Sequence, residues 1–269
     1  MELYLLLCAV VLLLCIFSNK ISDKIGVPSL LIFMFLGMVF GSEGIFKIEF
    51  SDFQAAENIC TAALIFIMFY GGYSTNWEHA RPAAGRAAVL STLGVGIGAA
   101  VGIAGPKIIR KFRFCTDGFD AVFVLAAALT SYALAGILGG NGFLSVYLTG
   151  ILMGNAKTKN KANVVRFFDN VTILAQIATF FLIGLLSYPS QMVSSLPATL
   201  VIILFLTLAA RPAMVFILTG RYLKFREKIF VSFAGLRGAS SIVFAIFASA
   251  GGVYMQSNVF YIVFGLSLM

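Results

Sequence analysis

Apolar runs alternate with short polar stretches along the whole chain. Hydropathy read in windows of membrane length divides it into about ten segments, at residues 3–18, 27–41, 55–72, 87–105, 119–138, 142–155, 167–187, 195–219, 229–250 and 257–269. The pattern predicts an all-α, polytopic helical membrane protein with a single transmembrane domain over residues 1–269. Residues 27–41 and 142–155 fall short of the ~17 residues that a bilayer core asks of a helix, so they thin the bilayer locally or extend into their flanks. The last run is still apolar at Met269, and the chain is expected to be truncated at that end.

Composition agrees with the pattern. With 60% hydrophobic residues, 11% charged and a mean hydropathy of +0.99, the chain fits no soluble class. The first run resembles the apolar part of a secretory leader, but no basic stretch precedes it and Ser18-Asn19-Lys20 is a poor cleavage site, so it reads as a span. A net charge of +8 could suit nucleic acid, yet the basic residues sit in short loops between apolar runs, which is a topology signal. Nucleic acid is therefore excluded as a partner, and the lipid bilayer takes its place. Cys8, Cys15, Cys60 and Cys115 have no metal or redox spacing and read as small packing residues. The single histidine, His79, lies in a loop beside Trp77 and Glu78, with no nucleophile and base or metal cluster inside the spans. Neither an enzyme, nor a metal centre, nor a cofactor is expected.

Lysine and arginine counts orient the segments. Lys20 and Lys24 follow the first, Arg81 and Arg86 the third, Lys157, Lys159, Lys161 and Arg166 the sixth, and Arg221, Lys224, Arg226 and Lys228 the eighth. Those loops belong inside, in the cell's inner membrane, with the N-terminus outside. The alternation fails once, at residues 87–105, which have Arg86 at one end and Lys107, Arg110, Lys111 and Arg113 at the other. Either this glycine-rich segment is re-entrant or interfacial, or an odd number of spans is missing from a longer design.

Two arginines stand deep in apolar runs. Arg211 lies ten residues before the basic loop that starts at Arg221, and Arg237 nine residues after Lys228. At ~1.5 Å per residue each is ~14 to 15 Å from that loop, near the midplane of a ~30 Å core. Isolated, each would cost at least ~3 kcal/mol, so paired, water-lined positions are expected.

The sequence resembles the bacterial monovalent cation:proton antiporters, in their potassium/proton branch. The likeness is carried by Gly37-Met38-Val39-Phe40-Gly41-Ser42-Glu43-Gly44, Phe69-Tyr70-Gly71-Gly72, the run from Gly142 to Gly150 with Gly154-Asn155, Phe167-Phe168-Asp169 with Gln176, Ala210-Arg211-Pro212, and Gly235-Leu236-Arg237-Gly238-Ala239. The resemblance implies roughly a dozen helices in inverted repeats, two interrupted helices crossing at the midplane, homodimeric assembly, and exchange of potassium or sodium for protons. It also implies structural or gating roles for Arg211 and Arg237. One departure matters. Family members carry, between the third-span motif and the basic stretch, spans with a Thr-Asp pair and an Asn-Asp or Asp-Asp pair, and this chain has neither. The omission falls at residues 94–105, where the charge count also fails.

Antiport needs a carboxylate that protons and cations occupy in turn, reachable from each side but never from both together. All eleven acids here lie in loops or near segment ends, and Asp169 and Asp120, at the starts of their spans, are the deepest. Each reads as an interfacial acid beside Arg166 or Arg113. Gly235 and Gly238, with Ser240 and Ser241, suit a broken helix around Arg237, although a glycine kink would suit them too. Pro212 frees a carbonyl one turn before it. Gln176 and Thr179 read as hydrogen-bond partners between helices. Two readings stay open: a cation:proton antiporter, or a shortened homologue without transport.

Overall fold

A computed structural model describes residues 2–25, 28–48, 50, 52–76, 92–112, 119–156, 161–218, 225, 228 and 229. Gly235, Arg237 and Gly238, with the rest of the two last predicted segments after Ile229, lie outside the described residues. The helices are α1 (Glu2–Ile25), α2 (Ser29–Phe40), α3 (Phe53–Tyr73), α4 (Thr92–Phe112), α5 (Phe119–Ile137), α6 (Gly142–Gly154), α7 (Lys161–Leu186) and α8 (Pro189–Phe205). A π-helical turn (Leu206–Ala210) leads from α8 into α9 (Arg211–Leu218). Among the described residues four helical stretches are long and apolar enough to cross a membrane: Gln54–Tyr73, Phe119–Ile137, Lys161–Leu186 and Thr199–Ile217. Leu6–Ser18, Ser29–Phe40, Gly96–Ile109 and Gly142–Gly154 are apolar but shorter.

Several boundaries differ from the hydropathy reading, the largest for one physical reason. A helix does not end where its apolar run ends, because its backbone hydrogen bonds continue into polar sequence. So α1 runs on to Ile25, carrying exposed Lys20 and Lys24, and α7 begins at Lys161, two turns before Asp169. The predicted segment 87–105 is one helix over Thr92–Phe112, continuing through Pro106 into the basic stretch.

The chain forms two compact units, one of residues 1–58 with 179–269 and the other of residues 59–178. In the first, α1 packs on α2, and α2 crosses the end of α7 at glycine. A Cβ built on Gly184 would lie 2.1 Å from the Met34 carbonyl, and one on Gly37 would lie 2.2 Å from the Phe181 carbonyl. Only hydrogen at both positions lets the two backbones touch. Phe40 closes this crossing, stacked on Phe46 at 4.3 Å and edge-on to Phe181 at 5.8 Å. After α2 the chain reverses at Gly41–Gly44, where the Ile45 N–H donates to the Val39 carbonyl at 2.8 Å.

The second unit is built around α6. Its thirteen residues make a rod of ~20 Å. Asn141 starts it, its Oδ1 accepting the Leu144 N–H at 3.1 Å, which is an N-cap in the usual sense. Glycines hold α6 on two sides. Towards α3, a Cβ on Gly72 would lie 2.2 Å from the Tyr147 carbonyl, and one on Gly154 would lie 2.1 Å from the Tyr73 carbonyl. Towards α4, a Cβ on Gly98 would lie 2.5 Å from the Ser145 carbonyl. Gly150 and Gly154 form the small-xxx-small spacing that brings membrane helices together. Phe69, Val124, Ala128, Val146, Met153 and Phe168 complete the apolar core.

Candidate functional site

The most buried polar group of the second unit lies where α4, α5 and α6 meet. Ser131, Ser145 and Thr149 are each 0% exposed. The Ser131 hydroxyl is 2.8 Å from that of Ser145 and 2.7 Å from that of Thr149. Carbonyls absorb the remaining hydroxyl capacity: Ser145 reaches the Ser131 carbonyl at 3.2 Å, and Thr149 reaches those of Gly98 and Ser145 at 3.1 and 2.9 Å. The Gly98 contact exists because Gly98 has no side chain to hold α4 away. In a membrane such hydroxyls join helices, and each buried one needs its partner. Ser145 and Thr149 are legible as polar points in an apolar helix, but the joining to Ser131 is not.

The ends of α3, α6 and α7 meet at a second polar group. Asn155 caps α6, its amide donating to the Thr75 carbonyl at 2.9 Å and the Ile151 carbonyl at 2.8 Å. The Lys161 ammonium donates to the Gly154 carbonyl and lies 5.9 Å from the centre of the Tyr73 ring. Its charge offsets the negative end of α6. A small cleft beside it is lined by Tyr73, Pro106, Ile109, Asp120, Val124, Met153 and Val164, with the half-buried Asp120 as its acid.

Asp169, expected at the start of a span, stands instead in the third turn of α7 and is exposed. Its carboxylate accepts a hydrogen bond from the Tyr70 hydroxyl of α3. The sequence reading missed that pairing, although Tyr70 lies in one of the motifs that carried the resemblance. One turn further along α7, Thr172 is 6% exposed and its buried hydroxyl has no hydrogen-bond partner among the described residues. Gln176 is half-buried one turn beyond that.

In the first unit, Glu43 caps α8. The Ser190 N–H donates to Glu43 Oε2 at 2.8 Å, and the Ser190 hydroxyl donates to Oε1. These bonds favour the ionised form and hold the Glu43 carboxyl below its ordinary range. Arg211 is half-buried and opens α9. Its N–H bonds back to the Leu206 carbonyl across the π-helical turn. Pro212 accounts for that turn, having no N–H for the carbonyl one turn back and a ring that crowds it, so the register slips by one residue. Among the described residues no group of three or more His, Cys, Asp or Glu is placed to hold a metal.

Comparison with known proteins bears on what these elements belong to. The family described as sodium/hydrogen exchanger, transmembrane, matches residues 9–105 and 96–269. The K(+)/H(+) antiporter NhaP of Alkalimonas amylolytica is 26% identical over 372 aligned positions, which take in 100% of this chain and 65% of that protein. The K(+)/H(+) antiporter NhaP2 of Shewanella baltica is 33% identical over 182 positions, 65% of this chain and 32% of that protein. The chain thus spans less than two thirds of the length of either relative. The structure of the sodium proton antiporter MjNhaP1 from Methanocaldococcus jannaschii superposes with a TM-score of 0.76 at 18% identity, covering 100% of this chain and 95% of that one. The fold is therefore that of this antiporter. With its family pattern matched across nearly its whole length, this multi-pass chain belongs to the sodium/hydrogen exchanger family of transmembrane proteins.

Proposed function

We propose that the protein exchanges a monovalent cation, potassium or sodium, for protons across the cell's inner membrane, as a homodimer. The observation that carries this reading is the family match over residues 9–105 and 96–269. The relatives named as K(+)/H(+) antiporters favour potassium. In this reading Arg211 and Arg237 are midplane cations with structural or gating roles, and Gly235 and Gly238 break the helix around Arg237. Gln176 bonds between helices, and Asp169 is a carboxylate of the pathway. The end of α7 bearing Lys161 and Arg166 is cytoplasmic by the charge rule.

A second reading, a shortened homologue without transport, has an observation of its own. The alignment to the Alkalimonas protein needs 372 positions to accommodate 269 residues, so more than a hundred of that protein's positions have no counterpart here. The family pattern, too, matches in two stretches that overlap at residues 96–105. A junction near residues 94–105, where the charge alternation also fails, would account for both. Purified chain in liposomes with a trapped pH probe separates the two. Proton movement on adding potassium or sodium is the outcome expected of an antiporter. Silence from correctly inserted protein would favour the shortened form.

A further inference from the structure

We propose that one face of α7, carrying Asp169, Thr172 and Gln176 with Tyr70 of α3 at its mouth, is a narrow water-lined track that admits a monovalent cation from the Lys161 end. Four observations meet here. The three residues of α7 are spaced i, i+3 and i+7, which at ~100° per residue puts them in a sector of ~60°. They mark a polar stripe on a helix otherwise apolar enough to cross a membrane. Asp169 stands eight residues from Lys161, ~12 Å along the axis, and it is exposed. A carboxylate just inside the apolar run does not turn to lipid, so the exposed side of Asp169 faces water or a polar surface. Finally, the Thr172 hydroxyl is buried and has no partner among the described residues. A hydroxyl left so is costly, and a water or cation in the track would satisfy it.

The chemistry of the stripe selects its occupant. A carboxylate, a phenol, a hydroxyl and an amide offer hard oxygen ligands, which suit an alkali cation and its water. Arg166 is exposed one turn nearer the Lys161 end, on the opposite side of Asp169 from Thr172. Its positive charge weakens cation binding there, and weak binding is what a passage requires. The occupant is named as a cation on the strength of the transport reading; the track itself is not.

Cysteine accessibility tests the track without any measurement of flux. In a chain whose Cys8, Cys15, Cys60 and Cys115 are replaced by alanine, Asp169→Cys, Thr172→Cys, Gln176→Cys and Leu174→Cys are made singly. Leu174 is the control, 53% exposed and ~140° around the helix from Asp169. A membrane-impermeant cationic methanethiosulfonate reacts with the thiolate in water, so Asp169→Cys, Thr172→Cys and Gln176→Cys should label at least about tenfold faster than Leu174→Cys. Potassium chloride should slow labelling at position 172 relative to choline chloride of equal strength. Labelling at 169 alone, with 172 and 176 as slow as 174, would overturn the track, as would equal rates in the two salts for its cation occupancy. Should a cysteine variant fail to insert, hydroxyl-radical footprinting of the unaltered chain reads the mouth directly. Tyr70 should be modified and its fully buried neighbour Phe69 protected; equal protection overturns the proposal. Fast labelling with no proton exchange in liposomes would leave the track standing and remove the transport reading.

Discussion

The hydroxyls of Ser131 and Thr149 lie 2.7 Å apart between α5 and α6, with neither side chain exposed. Removing one leaves the others short of a partner, whereas removing all three leaves nothing to satisfy. Thr149→Val, which keeps the shape, should therefore cost about 1–3 kcal/mol. The triple change Ser131→Ala, Ser145→Ala and Thr149→Val should cost less than the sum of the three single changes. Thermal unfolding in detergent, followed by intrinsic fluorescence, measures both, and simple additivity would contradict a shared network.

Glycine positions should divide sharply by what surrounds them. Gly184→Ala puts a methyl 2.1 Å from the Met34 carbonyl, and a backbone cannot give way as a flexible side chain does. A loss of about 1–3 kcal/mol is expected. Gly136 is helical with nothing among the described residues within 4 Å of an added Cβ, so Gly136→Ala should stabilise by up to about 1 kcal/mol. Melting temperatures of the two variants moving in opposite directions is the result to look for.

Acid should loosen the start of α8 through Glu43. Its carboxyl is held below its ordinary value by the Ser190 bonds, so a proton binds the unfolded chain more readily than the folded one. The stabilisation is whole above the ordinary carboxylate range and is lost as pH falls through it towards the lower folded-state value. Between about pH 6 and pH 3, the melting temperature of Glu43→Gln should fall less than that of the unaltered chain. Parallel curves would show that the cap carries no pH dependence.

Pro212 should matter for register more than for stability. Pro212→Ala restores an N–H, which allows the π-helical turn at Leu206–Ala210 to revert to α-helix. That reversion would turn Arg211 by about 100° around the axis. Melting should be unchanged or raised, while cation-driven proton movement, where the unaltered chain shows it, should fall. A variant that keeps both would mean that the orientation of Arg211 is immaterial.

Apolar run length made the helices legible, and the hydrogen-bonding residues at turns made some of their ends so. Asn141 and Gly139, the latter at φ 75°, mark the turn between α5 and α6 directly in the sequence. The start of α7 was hidden because Lys161 to Arg166 is polar, and hydropathy senses the bilayer rather than the backbone. The register slip before Arg211 was half visible: Pro212 declares a freed carbonyl, but not whether the helix kinks or widens in response. Tyr70 and Asp169 were each legible as motif residues. Their pairing was not, since it depends on where α3 meets α7, which no local pattern encodes.

The shortness of α6 bears on how the protein is made. At thirteen residues it is too short to cross a ~30 Å core unaided, and its polar interior faces would meet lipid if it tried. Its neighbour α5 is long enough, and only residues 138–141 separate the two. During synthesis α5 and α6 are therefore expected to enter the bilayer together as a hairpin. The second arm is carried in by the first and is secured afterwards, when its glycines meet α3 and α4.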